Sequence, residues 1–476
     1  LVIKGKAESP CYLKIEDGEI TINDTDYLWG LSTSDTESRL QEELSSKKGE
    51  RMSIAAIGQA GENLVRFSSI INEKRAHGRG GAGAVMGSKN LKAVVVRGSQ
   101  KLQIADEESF KEIVRRCRRK IAENPMTGKG GTFPKVGTMM TVDLTQATGT
   151  FPTRNWQENT FEYSSEIDGE AFLKYQVRPR ACFACPIGCS RDTKTIRGNT
   201  EYVTEGPDYE TIYSFGSNCE INDPGVVIAA DRLCDDYGMD TISCGVTIGF
   251  AMECFEKGLI SREETKGMDL RFGNGDALLE VIHLIAEKEG IGKLLSEGSK
   301  RVSEKIEGGR NFAMHVKGME LRTELLGLPE PIDRYAYENK AEMVRELQLG
   351  YATFDCIIAC IFGAFAITFE DYTDAISAET GWSLTQEELR TIAERAWNTT
   401  RLFNVREGFT REHDTLPERL FAEASTFGPS DGEVVDRASF EKMLDEYYEY
   451  VGWDKDTGIP TESKLAELGI EAGKGF

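Results

Sequence analysis

Cys182, Cys185 and Cys189 stand in the run Cys-Phe-Ala-Cys-Pro-Ile-Gly-Cys, a C-x2-C-x3-C spacing that constrains this chain more than any other stretch. Thiolates are the soft ligands that iron-sulfur clusters take, and a short loop can bend three of them toward one cubane. The spacing therefore predicts a metal-holding loop and a redox protein. A four-iron cluster takes a fourth thiolate from elsewhere in the chain. Three cysteines alone also occur in zinc modules, but the four histidines, His77, His283, His315 and His413, are isolated from one another and offer no His-x3-5-His partner. The radical S-adenosylmethionine loop has the longer gap first, C-x3-C-x2-C, which is the reverse of the order here.

A chain of 476 residues is long enough for two or three domains and a large core. Fifty-seven basic against 79 acidic residues leave a net charge of -22, which opposes nonspecific binding to nucleic acid and to anionic lipid. Neither a nucleic-acid nor a membrane partner is expected. Eleven cysteines spread over a large chain, three of them at ligand spacing, indicate a reducing cytoplasm rather than a disulfide framework. The longest apolar stretch, Cys356 to Ile367, is too short to cross a bilayer and reads as a buried helix. No signal peptide is visible. The chain opens on the strand-like Leu-Val-Ile-Lys-Gly-Lys without a methionine, which reads as an N-terminal truncation.

Residues 1–103 have short β-type patterns, at Cys11 to Ile15, at Glu19 to Ile22 after an Asp-Gly turn, and at Leu91 to Arg97. Beyond Ile104 the apolar period becomes helical, first at Glu107 to Glu123, then at Val226 to Asp236, Thr241 to Lys257, Asp276 to Glu289, Lys340 to Phe354 and Gln386 to Phe403. Asn124 to Glu166 and Val177 to Gly225 read as two long loop regions, the second holding the cysteines. No internal repeat and no low-complexity tract is present.

Three further motifs stand out. Residues 75–93 contain a literal G-x-G-x-x-G at Gly78, Gly80 and Gly83. A dinucleotide site needs a strand before such glycines and a helix after them, whereas this run precedes the strand at Leu91, so a Rossmann reading is poor. Glycines beside Arg75, Arg79 and Lys89 still suit an anion cradle, with a tightly packed glycine turn as the plain alternative. The second motif is Asp235-Asp-Tyr-Gly-Met-Asp240, where Gly238 would stop one helix and Asp240 cap the next. The same spacing recurs in Asp355-Cys-Ile-Ile-Ala-Cys360, and two matching turns can grip two copies of one ligand. The third is Glu205-Gly-Pro-Asp-Tyr-Glu-Thr211, in which the residues alone do not choose between Glu205, Asp208 and Glu210.

Taken together, these stretches resemble the aldehyde:ferredoxin oxidoreductase family of tungsten bis-pterin enzymes. The resemblance rests on the glycine-rich block at 75–93, Ala-Gly-Glu-Asn at 60–63, the cysteine run, the Glu-Gly-Pro-x-Tyr-Glu-Thr segment and both Asp turns in order, and it spans nearly the whole chain. It implies that Arg75, Ala76 and Gly78 hold the pterin phosphates and a magnesium ion bridging them. Asp235 and Asp240 would bind one pterin, and Asp355 with the turn through Cys360 and Ile361 the other. Cys360 would supply the fourth thiolate of a 4Fe-4S cluster, and Glu210 matches the family's carboxylate beside the tungsten, or molybdenum. The implied chemistry is oxidation of a small aldehyde with water to a carboxylic acid, Glu210 moving the proton and the cluster passing electrons to ferredoxin. A homodimer is the family expectation. The departures are the segment expected before Leu1, a shortened tract between Glu320 and Asn339 where the family has an active-site histidine, and Ala359 where it has Gly-Leu before the cysteine.

The fold class expected is α+β, an incomplete N-terminal sheet domain over 1–103 packed on two mainly helical domains over 104–320 and 321–476, with the site where the three meet. Rival functions are a reductive catalytic subunit acting on an aromatic thioester and a non-catalytic iron-sulfur electron-transfer or scaffold protein.

Overall fold

The computed structural model describes residues 1–45, 52–322 and 336–471. Its first unit is a six-stranded sheet built from β1 (Cys11–Glu16), β2 (Glu19–Asp24), β3 (Ser53–Ala56), β4 (Ile70–Asn72), β5 (Arg75–His77) and β6 (Leu91–Arg97) in the order β2-β1-β6-β3-β4-β5. β1 and β2 form a hairpin whose two turn residues, Asp17 and Gly18, both have positive φ, the conformation that an Asp-Gly pair is suited to. β1 runs parallel to β6, and the other pairings are antiparallel. Alternation along β1 sends Tyr12 into a core with Leu28, Leu40, Ile54 and Val95, and Cys11 and Leu13 into a second with Ile57, Met86 and Leu91.

The Ala60-Gly-Glu-Asn63 segment locks this sheet to the rest. Glu62 pairs with Lys92, both nearly devoid of solvent exposure, and also accepts from the Gly30 amide at 2.8 Å. A buried pair of this kind holds only because each member is satisfied, Lys92 donating as well to the Leu31 carbonyl at 2.9 Å. Asn63 donates to the Ala286 carbonyl at 2.9 Å, in the helix Gly275–Glu287 of the second unit.

That second unit packs around the helices Pro224–Tyr237 and Thr241–Glu256, the latter buried along nearly its whole length as a helix apolar on all faces must be. The remaining chain contributes the helices Lys340–Ile357, Gln386–Arg406 and Arg437–Val451, and Phe369–Thr380, which docks on Glu107–Glu123 through Arg116 and Lys120 to Asp371 at 2.9 and 2.6 Å. The architecture is α+β, an N-terminal sheet followed by mainly helical structure. No helix among the described residues is long and apolar enough to cross a membrane.

Three expectations are corrected. Val177 to Gly225 is not a loop: it holds an antiparallel meander of β7 (Gln176–Arg180), β8 (Ser190–Arg197) and β9 (Thr200–Glu205), then the helix Tyr209–Phe215. Asn124 to Glu166 contains the helices Thr132–Val136 and Thr141–Thr148. Cys356 to Ile367 is not a buried helix, since the helix from Lys340 stops at Ile357, Ile358 turns left-handed and stands 93% exposed, and a 3-10 turn follows over Ile361–Phe365. An apolar run states that cover is needed and not which element provides it.

Candidate active site

The cysteine run is the connection between β7 and β8, whose register closes Arg180 opposite Ser190. Asp192 on β8 anchors the middle and the end of β7, accepting from Arg178 Nε at 2.6 Å and Arg180 Nε at 3.0 Å. The buried Arg191 fixes the far end of the loop, its Nη2 donating to the Cys189 carbonyl at 2.7 Å. Cys185 and Cys189 pack in one apolar cluster with Phe133 and Phe362, and Phe133 meets the Phe362 and Phe365 rings at 4.8 and 4.9 Å. Phe133 thereby ties the cysteine loop to the segment that follows Cys360.

Cys189 and Cys360 each feel other thiols of the set. Burial pushes the Cys189 thiol up to about 12, with Asp208, Cys360 and Cys182 adding to the effect and Arg75 opposing it. The Cys360 thiol is raised by burial and by Cys185 and Cys182. No three His, Cys, Asp or Glu side chains among the described residues converge as they would on a single ion.

The glycine block divides into two kinds of position. Side chains at Gly81, Gly83 and Gly87 would meet the Arg66, Ser69 and Gly61 carbonyl oxygens at 2.3, 2.6 and 2.0 Å, so these three serve the packing of the helix Ala82–Ser88. Gly80 has nothing within 4 Å, and Gly78 has only Ala76 and Ser69 Oγ, at 3.6 and 3.8 Å. Ser69 Oγ is buried without a hydrogen-bond partner, and Arg79 Nη1 is another such atom. An open glycine pair with an orphaned hydroxyl beside it has the composition of an anion cradle that a phosphate fits. The expectation that no strand precedes these glycines is corrected, because β5 ends at His77. The Rossmann reading still fails, since β5 is an antiparallel edge strand rather than part of a parallel crossover.

Ser69 joins this cradle to the first Asp turn, its amide donating to the Gly238 carbonyl at 2.8 Å while the Asp240 amide donates to Phe67 at 2.9 Å. Asp240 caps the helix it precedes, accepting from Ile242 and Ser243 amides at 3.3 and 3.1 Å. Asp235 is buried and shares the Thr204 hydroxyl with Asp231, at 3.3 and 2.7 Å. Burial pushes both acids up, Asp231 to about 7, because neither has a cation in direct contact to offset desolvation.

Arg75 is the meeting point. It pairs with Glu205 at 2.5 Å, and although burial works against its charge, Glu205, Asp208 and Cys182 together raise its pKa. Asp208 is exposed and accepts from Thr138 at 3.1 Å. Glu210 lies half-buried in the first turn of Tyr209–Phe215 and acts on the buried Tyr213, whose hydroxyl accepts from Trp156 at 2.5 Å. The structure thus links Arg75 to Glu205, Asp208 and Cys182, Cys189 to Cys360 and Cys182, and Gly78, through Ser69, to the Asp235–Asp240 turn. Ala76 is exposed in the β4–β5 hairpin, Ile361 is half-buried at the start of its turn, and Asp355 is exposed at its helix end. Sequence reasoning missed Ser69, Phe133 and Arg191. Only Arg191, two residues after the cysteine run, carried a local signal.

Of the four histidines, His283 bonds the Tyr237 hydroxyl at 2.8 Å and His413 the Thr410 amide at 3.1 Å, while burial lowers His315 to about 4 and His77 ends β5. The shortened tract between Glu320 and Asn339 falls mostly on 323–335, outside the described residues.

Two family profiles match, the N-terminal domain of aldehyde ferredoxin oxidoreductase over residues 1–98 and its domains 2 and 3 over residues 112–324 and 321–470. The chain belongs to the aldehyde ferredoxin oxidoreductase family. It is 40% identical to the tungsten-containing aldehyde ferredoxin oxidoreductase of Pyrococcus abyssi, over 99% of this chain and 82% of the relative. The Pyrococcus furiosus enzyme of the same description is also 40% identical, over 99% and 81%. An aliphatic sulfonate oxidoreductase, WOR-like subunit, of Pyrococcus furiosus is 31% identical over 100% and 80%. Among solved structures, the active-site complex of benzoyl-coenzyme A reductase aligns with a TM-score of 0.79 at 22% identity, covering 98% of this chain and 80% of that one, a likeness of fold. This family is one of oxidoreductases.

Proposed function

We propose that this chain oxidises a small aldehyde with water to the carboxylic acid, using a tungsten or molybdenum bis-pterin and a 4Fe-4S cluster, and hands the electrons to ferredoxin. The balance is RCHO + H2O giving RCOOH, two protons and two electrons. The oxygen of water bonds to the carbonyl carbon, and its C–H bond breaks. When bound, the pterin-held metal supplies the two-electron acceptor and the cubane a one-electron relay. The chain's own part is to hold and to move protons. Arg75, Ala76, Gly78 and the Ser69 hydroxyl would hold the pterin phosphates and a magnesium ion; Asp235 and Asp240 would take one pterin, and Asp355 with the Cys360–Ile361 turn the other. Cys182, Cys185, Cys189 and Cys360 ligate the cluster. Glu210 takes the proton from the attacking water through its carboxylate, a role general-base groups fill with gains of about 10²–10⁴.

The observation that carries this reading is Arg75, which touches Glu205, feels Cys182 and belongs to the strand that delivers the open glycines. One cation thereby links a phosphate cradle to a cluster loop. An aldehyde is favoured as substrate because the more similar relatives bear that description. The same reading makes the enzyme cytoplasmic and homodimeric, framed by units at 1–103, 104–320 and 321–476.

Protein purified without oxygen is expected to contain tungsten or molybdenum, pterin and iron at cubane stoichiometry. Glu210→Gln should lose roughly 100-fold or more in viologen-linked aldehyde oxidation with metal content unchanged. Cys360→Ser should lose iron. Iron without pterin would favour the scaffold function, and full turnover in Glu210→Gln would remove the proton-transfer assignment.

A further inference from the structure

Apart from the proposed centre, a cavity of about 440 Å³ lies among the helices Lys340–Ile357, Gln386–Arg406 and Arg437–Val451, within the range typical of small-molecule sites. Its wall is aromatic and held in place. Trp397 Nε1 donates to the Tyr447 hydroxyl at 3.2 Å, that hydroxyl donates to Gln348 at 2.5 Å, and Trp453 Nε1 donates to Asn398 at 2.8 Å. With their polar ends already partnered, these rings present apolar surface that costs little further entropy to order.

The polar end is built around Asp414. Lys317 and the Tyr448 hydroxyl both donate to it, and Arg401 reaches it with Nη1 at 3.0 Å and Nη2 at 2.7 Å. Burial would raise the Asp414 pKa, but Arg401, Lys317 and Tyr448 outweigh it and hold the carboxyl below the usual carboxylate range. One carboxylate therefore faces two cations. Arg401 is 4% exposed, and its guanidinium is engaged on Asp414 through Nη1 and Nη2 and on the Gly458 carbonyl through Nε at 2.7 Å. A buried guanidinium next to a second cation, with one net positive charge at the wall of the cavity, is a costly arrangement unless an anion completes it.

We propose that this cavity is a binding site for a small organic monoanion, its carboxylate taken by Lys317 in the positive field of Arg401 and its aromatic or branched body by the Trp397, Tyr447 and Trp453 wall. The site is separate from the cysteine and glycine centre and does not depend on the function proposed for that centre. Its ligand class matches a carboxylic acid product.

Titration of the purified full chain with phenylacetate and with neutral phenylacetamide tests it, read by calorimetry and by tryptophan fluorescence. Phenylacetate is expected to saturate the site and to bind roughly tenfold tighter than the amide, the worth of one charge-assisted hydrogen bond. Lys317→Met should abolish that preference, and Lys317→Arg should retain it. Trp397→Phe, which keeps the cavity charge, should diminish the fluorescence response. Equal affinity for acid and amide, an unchanged preference in Lys317→Met, or no saturable binding to the parent chain would each overturn the proposal.

Discussion

At Asp235 and at Asp355 a helix stops three residues later on a residue in the left-handed region, Gly238 at φ 71° and Ile358 at φ 54°. The closing hydrogen bonds match. Gly238 and Met239 amides donate to Asp235 and Cys234 at 3.1 and 2.8 Å; Ile358 and Ala359 amides donate to Asp355 and Phe354 at 3.3 and 3.0 Å. The surroundings do not match. A side chain at Gly238 would come within 2.9 Å of the Gly58 amide nitrogen and 3.2 Å of the Ser69 carbonyl, whereas Ile358 stands 93% exposed. The shared spacing therefore encodes the turn alone, and glycine is obligatory only where another backbone closes against it. The first turn is a seam between the sheet and the helical core, and the second is a free helix end that delivers Cys360.

Breaking the first turn should have the largest effect. Gly238→Val adds left-handed strain to a collision with backbone that cannot retreat, and should cost at least about 3 kcal/mol. The urea midpoint measures it; a midpoint equal to that of the parent would mean that the seam is not closed. Next comes the acid pair behind that turn. Asp231 has a folded pKa raised to about 7, so the native chain keeps a proton that the unfolded chain releases near pH 4. Its contribution to stability is thus full below about pH 4 and is lost as pH rises toward 7. Asp231→Asn should remove this dependence, so that between pH 5 and pH 7 the parent loses about 2 kcal/mol more than the variant. Equal losses in the two proteins would show that Asp231 is ionised throughout.

How much of this was legible in the sequence follows the same division between local and distant causes. Gly238 as helix stop and Asp240 as cap are local, and both were readable. So were the Asp17-Gly18 hairpin and the long helices, whose apolar periods are intact. The β7–β9 meander was not, because β8 buries Arg191, Asp192 and Thr193 against polar partners, so its sequence lacks the apolar alternation that marks a half-buried strand. The site divides in the same way. The cysteine spacing indicated a metal loop, whereas which glycines pack and which stay open depends on Arg66, Ser69 and Gly61, whose approach no local pattern encodes.

The smallest effect belongs to the second turn and has the opposite sign. Ile358 is β-branched and left-handed, a conformation that costs an L-residue about 1–2 kcal/mol and that glycine adopts freely. Its side chain is almost wholly solvent-exposed, so removing it sacrifices little packing. Part of the relief is offset by the greater freedom that glycine gives the unfolded chain. Ile358→Gly should therefore stabilise the protein by about 0.5–1 kcal/mol in urea unfolding, with the iron content unchanged. A destabilised variant would mean that Ile358 is covered in solution, and the second turn would then be a seam like the first. A stabilised variant that loses iron would instead assign the strain to the presentation of Cys360, since strained backbone persists where the surrounding structure holds a functional geometry.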